Sequence, residues 1–452
     1  MKKIALALIL AMIISSALLL TSCMDKIVEV AKTELEFRLN DEGDGYIVTG
    51  YNDFKNPKEI VIPSEHEGLP VVAIGYNAFI FRDSLEKVVI PGSVKFIVDG
   101  AFKYCSALNT VVLGNGVETI YSGVFDNCHS LEHINIPASV NEISHTAFLG
   151  CTKLIIDVDE KNEKYKIVDG NLYQVGDSYR AEDNSSITSE GWVLMRYSPL
   201  NKSSSFSIPK EVEKIDEYAF FDYNSIKHIG FEEGTNIQTL NKAFSYIETL
   251  ESIVIPDSVT TISNYAFSNC TLLKTVTFGE NSQLSFIDYC AFEGCRSLTN
   301  INIPDSVIEI QSSVFKDCVS LEYIDLPDAL EVILHDTFMG CTSLKSIVIP
   351  NHVKQIFTNS FSGCTSLESI TLPDTLEFIG EGAFRNCSSL ESLFIPKKAN
   401  TIRQYAFYGC DNVTLYFELS YWHSWMNHEM MEEGTPSYWG CTREEAEQKI
   451  QK

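Results

Sequence analysis

The chain has 452 residues and carries 61 Asp and Glu against 34 Lys and Arg, a formal net charge of −27. That balance excludes nucleic acid as a partner, because phosphate-binding surfaces need clustered cations to displace counterions. Length alone would suggest about three domains of roughly 150 residues, a prior that the internal repeats described below set aside.

Lys2 and Lys3 precede an apolar run from Ile4 to Leu20, as in a secretory targeting segment. The run ends in Leu20-Thr21-Ser22-Cys23, which resembles the lipobox of bacterial lipoproteins. The resemblance implies cleavage after residue 22 and acylation of Cys23, an anchor that needs no membrane-spanning helix. Residues 23–36 then form the anchor and a spacer with a weak helical pattern. Residues 37–70, with Asp44-Gly45 between apolar runs, read as a hairpin that caps the first layer of a stack.

From there one outline recurs: Ala-Phe-x-x-Cys-x-x-Leu-x-x-Ile-x-Ile-Pro-x-Ser-Val-x-x-Ile. Its phenylalanine falls at Phe79, Phe102, Phe125 and Phe148, then at Phe220, Phe244, Phe267, Phe292, Phe315, Phe338, Phe361, Phe384 and Phe407, mostly 23 residues apart. A unit this short cannot bury its apolar side alone, so neighbours must stack. Leu-x-x-Ile-x-Ile is a strand by its β-branched alternation, ended by Pro, which cannot donate to a ladder. The expected fold is a β-rich solenoid of about thirteen coils. Residues 71–151 form a first block, 152–208 an insertion of short strands with a mobile tip near 178–190, and 209–410 a second block. Residues 411–452 close the stack with Trp422, Trp425, Tyr438 and Trp439, and Thr442-Arg443-Glu444-Glu445 has the form of a helix capping box.

These coils resemble leucine-rich repeats of the BspA-like class, known from bacterial surface proteins. The carriers are stretches such as Ala291–Ile310 and Val314–Ile333, and the Gly170-Asn171-Leu172-Tyr173 excursion and Tyr438-Trp439 ending share the likeness. The resemblance implies a leucine-rich-repeat superhelix on the outside of the cell that adheres to proteins of a host, a matrix or neighbouring cells. A carbohydrate-binding or wall-associated structural role is the alternative, since fold does not fix ligand.

Conspicuous residue types are absorbed by the repeat. Ten of the thirteen cysteines share one repeat position, Cys105, Cys128, Cys151, Cys270, Cys295, Cys318, Cys341, Cys364, Cys387 and Cys410, where they face inward as weak donors for a turn carbonyl. They lack paired Cys-x-x-Cys spacing and histidines in phase, so no metal site is assigned. His129 and His133 straddle a turn and a strand, and Asp157, Asp159 and Glu160 lack a calcium-loop pattern. No nucleophile elbow, zincin helix, phosphate loop or dinucleotide fingerprint is present, so neither catalysis nor a cofactor is expected.

What remains is the row that alternation turns outward along the strands. It comprises Lys87 and Val89, Thr110 and Val112, His133 and Asn135, His228 and Gly230, Ser252 and Val254, and Thr275 and Thr277. It goes on through Asn300 and Asn302, Tyr323 and Asp325, Ser346 and Val348, Ser369 and Thr371, and Ser392 and Phe394. At ~4.8 Å per rung this is a ligand platform about 60 Å long, with Tyr323 and Phe394 as its candidate anchors. The anchor carries its own prediction: Cys23→Ser abolishes labelling by a palmitate analogue and releases the chain from the membrane fraction.

Overall fold

The computed structural model describes residues 35–51, 56–175, 179–180, 186–187, 191–221, 223, 225–419, 430–431 and 435–450. The targeting segment, Cys23, Trp422 and Trp425 lie outside the described residues, as does most of the tip at 178–190, where Tyr179–Arg180 pairs antiparallel with Ser186–Ile187. The chain forms two compact units, one ending at Glu190 and including Leu194–Asn201, the other comprising Gly191–Val193 and Lys202 onward.

Each unit is a parallel β-solenoid with three sides to a coil. In the first, the outer strands Glu59–Val61, Lys87–Ile90, Thr110–Leu113, His133–Ile136 and Ile155–Val158 are stacked in chain order. The Val-x-x-Ile line forms a second ladder of two-residue strands, Phe96–Ile97, Thr119–Ile120 and Glu142–Ile143, each parallel to the one before. This ladder is capped by the hairpin of Leu35–Leu39 and Tyr46–Tyr51. The third side is held by backbone bonds at alternate residues, as from the Gly100, Phe102 and Tyr104 N–H groups to the Ser122, Val124 and Asp126 carbonyls at 2.8–2.9 Å. The second unit repeats the plan from Ser205–Ile208 to Ser437–Trp439. Counting phenylalanines therefore undercounts the turns. The described strands make about sixteen rungs, because Glu59–Val61, Ser205–Ile208 and Ser437–Trp439 add turns without the phenylalanine.

The core of each unit is a set of columns. Phenylalanine rings stack face to face at 5.1–5.8 Å between centroids, as in Phe79–Phe102 and Phe125–Phe148. In the second unit the stack runs from Phe220 to Phe407. The phenylalanine carbonyl turns inward and has two lone pairs to satisfy. Phe361 shows how: its oxygen accepts the Cys364 N–H of its own coil at 3.2 Å and the Cys387 S–H of the next at 3.2 Å. The ten column cysteines repeat this bond at 2.9–3.2 Å. All are free and buried. Burial disfavours the thiolate, pushing Cys105, Cys270 and Cys364 up to about 12. At neutral pH they are therefore inert toward exchange and alkylation.

The turns on either side of each phenylalanine need left-handed residues, which explains Cys290, a cysteine outside the column. It stands two residues before Phe292 at φ 55. Two residues after the phenylalanine the left-handed position is held by Gly, Asn, Asp or an aromatic residue, and at Gly294 the choice has a steric reason: a Cβ there would lie 2.7 Å from Oδ1 of Asn269 in the coil below. The Ser of Pro-x-Ser-Val carries another inter-coil bond, as from Ser306 Oγ to the Leu284 carbonyl at 2.6 Å.

In the first unit the cysteine column is closed at both ends by guanidinium groups. Arg82 occupies the cysteine position of the first coil and donates to the Tyr51 carbonyl at 3.3 Å. Where no further coil follows, Arg196 donates 2.7 Å bonds to the Phe148 and Cys151 carbonyls. The excursion that brings Arg196 back contains the hairpin Tyr165–Val168 and Asn171–Gln174, turned at Asp169 and Gly170. Buried Asn171 then fixes the chain beyond Arg196 by accepting the Ser198 N–H at 2.8 Å. Replacing Arg196 with Met leaves two sheltered carbonyls with only their backbone donors and should cost about 2 kcal/mol, read as an earlier denaturation midpoint and faster amide exchange in Phe125–Cys151.

Candidate functional site

The strand face is set by pleat alternation: within each rung the Ile residues point into the core and the flanking residues point out. In the first unit His133 and Asn135 are exposed and, with Asn109, Thr110 and Val112, line a shallow groove. There the strands Thr110–Leu113 and His133–Ile136 share only the pair Thr110–His133. His133 Nε2 lies 2.6 Å from Asp157 Oδ2, while His129 turns away to the Gly150 carbonyl, so the two histidines do not converge. Asp157 and the exposed Ile155 belong to the same face.

In the second unit the register sets the candidates side by side. Ser252 lies beside Thr275 and Val254 beside Thr277; Asn300 lies beside Tyr323 and Asn302 beside Asp325; Ser346 lies beside Ser369 and Val348 beside Thr371. Thr275, Thr277, Asn300, Asn302, Asp325, Ser369 and Thr371 are exposed, whereas Ser252, Ser346 and Ser392 are half-buried. Tyr323 is 51% exposed and Val348 67%. The face is bordered by charges that neutralise one another from coil to coil. Lys227 and Lys274 flank Glu251, holding its carboxyl down at about 2, and Lys345 pairs with Glu322 at 2.6 Å. The platform itself carries one acid, Asp325, and one imidazole, His228, whose Nδ1 lies 2.8 Å from Ser252 Oγ.

One expected anchor is corrected. Phe394 is half-buried, packed against Tyr416, Cys441 and Ala446. It is covered by the helix Arg443–Ile450, whose capping box closes through Thr442 N–H to Glu445 Oε2 at 2.8 Å and Glu445 N–H back to Thr442 Oγ1 at 3.2 Å. Arg443 sits 4.6 Å from the Phe394 ring, donates to the Leu372 carbonyl at 3.0 Å and pairs with Asp374 at 2.6 Å. Lys449 lies over Tyr438, which stacks on Tyr416. Alternation gave Phe394 the correct side of its strand but could not show the helix above it. Sequence reasoning also passed over Ser205, Ser207 and Tyr438 as outward positions; the alternation Ser-Phe-Ser-Ile was the available signal for the first two.

Among the described residues no cluster of His, Cys, Asp and Glu is placed to hold a metal ion, and no helix is long and apolar enough to cross a membrane.

The family model described as BspA type leucine rich repeat region matches residues 51–165, 197–322 and 285–414, in six copies. A leucine-rich repeat protein from Bacteroides ovatus is similar at 25% identity over 85% of this chain and 98% of its own, with a TM-score of 0.48. One from Eubacterium ventriosum aligns at 18% identity over 88% and 96%, also at 0.48. The pneumococcal vaccine antigen PcpA aligns at 18% over 77% and 92%, at 0.45. No curated protein matches. Arg443→Met should loosen the helix, and exposure of Phe394 and Tyr416 is read as faster amide exchange in Ser392–Ile395.

Proposed function

The chain belongs to the BspA type leucine rich repeat family, and from that premise we propose a non-enzymatic cell-surface protein that binds protein partners of a host, a matrix or neighbouring cells through its strand face. The observation that carries the reading is the contrast between that face and the rest of the molecule. The charged border is paired, the cysteines and phenylalanines are committed to the core, and a row of Ser, Thr and Asn, with Asp325 its one acid, surrounds the exposed Tyr323 and Val348. Exposed aromatic and aliphatic groups within a polar surround are the composition of a binding hot spot and its rim.

In this reading residues 1–22 are removed, Cys23 is acylated, and residues 23–36 space the body from the bilayer. The segment 37–70 caps the first block, 71–151, the insertion 152–208 separates it from the second, 209–410, and 411–452 close the end. His133 and Asn135 of the first unit contribute a separate polar patch.

The double variant Tyr323→Ala, Val348→Asp should lower adhesion to cells or matrix-coated surfaces by about tenfold or more, the loss of one hot-spot contact, while circular dichroism stays unchanged. Full adhesion by a folded double variant would sink the strand-face reading. Binding to a glycan array with no protein recovered would favour the carbohydrate alternative.

A further inference from the structure

The chain's own C-terminal helix shows how the strand face seats a cation. Arg443 uses three features: the Leu372 carbonyl, the Asp374 carboxylate and the Phe394 ring. Each belongs to a repeat position. The carbonyl is the last before the proline, the carboxylate follows that proline, and the ring is the outward residue of the next rung.

Three rungs earlier the same repeat positions are held by the Ile303 carbonyl, by Asp305 after Pro304, and by Asp325 as the outward residue, with Tyr323 two residues before it on the same strand. In this second seat a carboxylate stands where Phe394 stands in the first. Asp305 and Asp325 are exposed, and neither carboxylate has a hydrogen bond or ion pair among the described residues. Lys345, 5.5 Å from the Tyr323 ring, is held by Glu322. The seat occupies, three rungs earlier on the same face, the repeat positions that Arg443 engages at Leu372, Asp374 and Phe394. Among the described residues no cation reaches the two carboxylates, and Lys345 is the one cation near the ring.

We propose that the tract from Asn300 to Thr371 receives an arginine-bearing segment of a partner protein, its guanidinium seated between the Ile303 carbonyl, Asp305 and Asp325 against the Tyr323 ring. The inference rests on the strand-face reading above and names the chemistry of the partner. Arginine is specified over lysine because its planar fork can serve a carbonyl and two carboxylates while its face lies on an aromatic ring. The exposed Val348, two rungs from Asn302, supplies an apolar contact for the rest of the segment.

The test uses the purified full chain and a fluorescent short peptide of alternating Arg and Thr, with its lysine and citrulline counterparts. Anisotropy is read in about 0.15 M salt, where exposed charges are screened beyond about 8 Å. The arginine peptide should bind about tenfold more tightly than either counterpart. Asp305→Asn with Asp325→Asn should remove that preference, whereas Asp41→Asn with Glu42→Gln, exposed carboxylates of the first unit that belong to no strand rung, should leave it intact. Equal binding of the citrulline peptide, or an undiminished preference in the Asp305/Asp325 variant, overturns the inference. If adhesion is lost on Tyr323→Ala, Val348→Asp but is insensitive to the Asp305/Asp325 pair, the strand face stands and the arginine seat falls. If both variants adhere fully, the strand-face reading itself has failed.

Discussion

The structure depends on one buried oxygen per coil. The turn that brings each phenylalanine into the core also turns its carbonyl inward, and a buried acceptor left without its partners costs about 1–3 kcal/mol. The backbone N–H three residues on supplies one donor, and the S–H of the next coil supplies the other. A thiol suits this position because it is small and apolar enough to be buried in the core yet still donates. The bond therefore satisfies a turn and ties a coil to its neighbour at once, which is how stacked repeats acquire stability that no single coil has.

Ends follow from the same constraint. A column of inward carbonyls must stop somewhere, and in the first unit it stops at guanidinium groups, Arg82 at one end and Arg196 at the other. Arg196 arrives on an excursion whose hairpin looks, in sequence, like an interruption of the repeat. Its structural effect is to replace the missing next coil. In the second unit the end is aromatic instead: Phe417 stacks on Trp439 at 4.0 Å, and the helix at Arg443–Ile450 folds over the last rungs.

The division of labour between core and surface gives this protein its functional character. Because the columns absorb cysteine, phenylalanine and the motif serine into coil-to-coil bonds, none of these residues is available for chemistry, and the high thiol pKa values are a consequence of packing. In the proposed reading, recognition falls to positions on which the fold makes no demand. Those positions alternate with the buried isoleucines, so a rigid core holds them at fixed spacing, and they are free to vary without loss of stability. Tyr323, Asp325 and Val348 are legible as special only against the plain Ser, Thr and Asn row around them.

Periodicity alone determined the solenoid, its strands, the phenylalanine and cysteine columns, and the side on which each strand residue lies. A spacing of 23 residues admits few ways to bury its apolar positions, and strand alternation fixes side-chain direction. The capping box at Thr442 was equally local and equally legible. Only the tertiary structure decided which outward residues are free. Phe394 is covered by Arg443, whose partner Leu372 lies 71 residues away, and the carbonyl of Phe148 is served by an arginine 48 residues downstream. Contacts of that separation leave no period in the sequence, because each occurs once, at an end, where the repeat has already stopped.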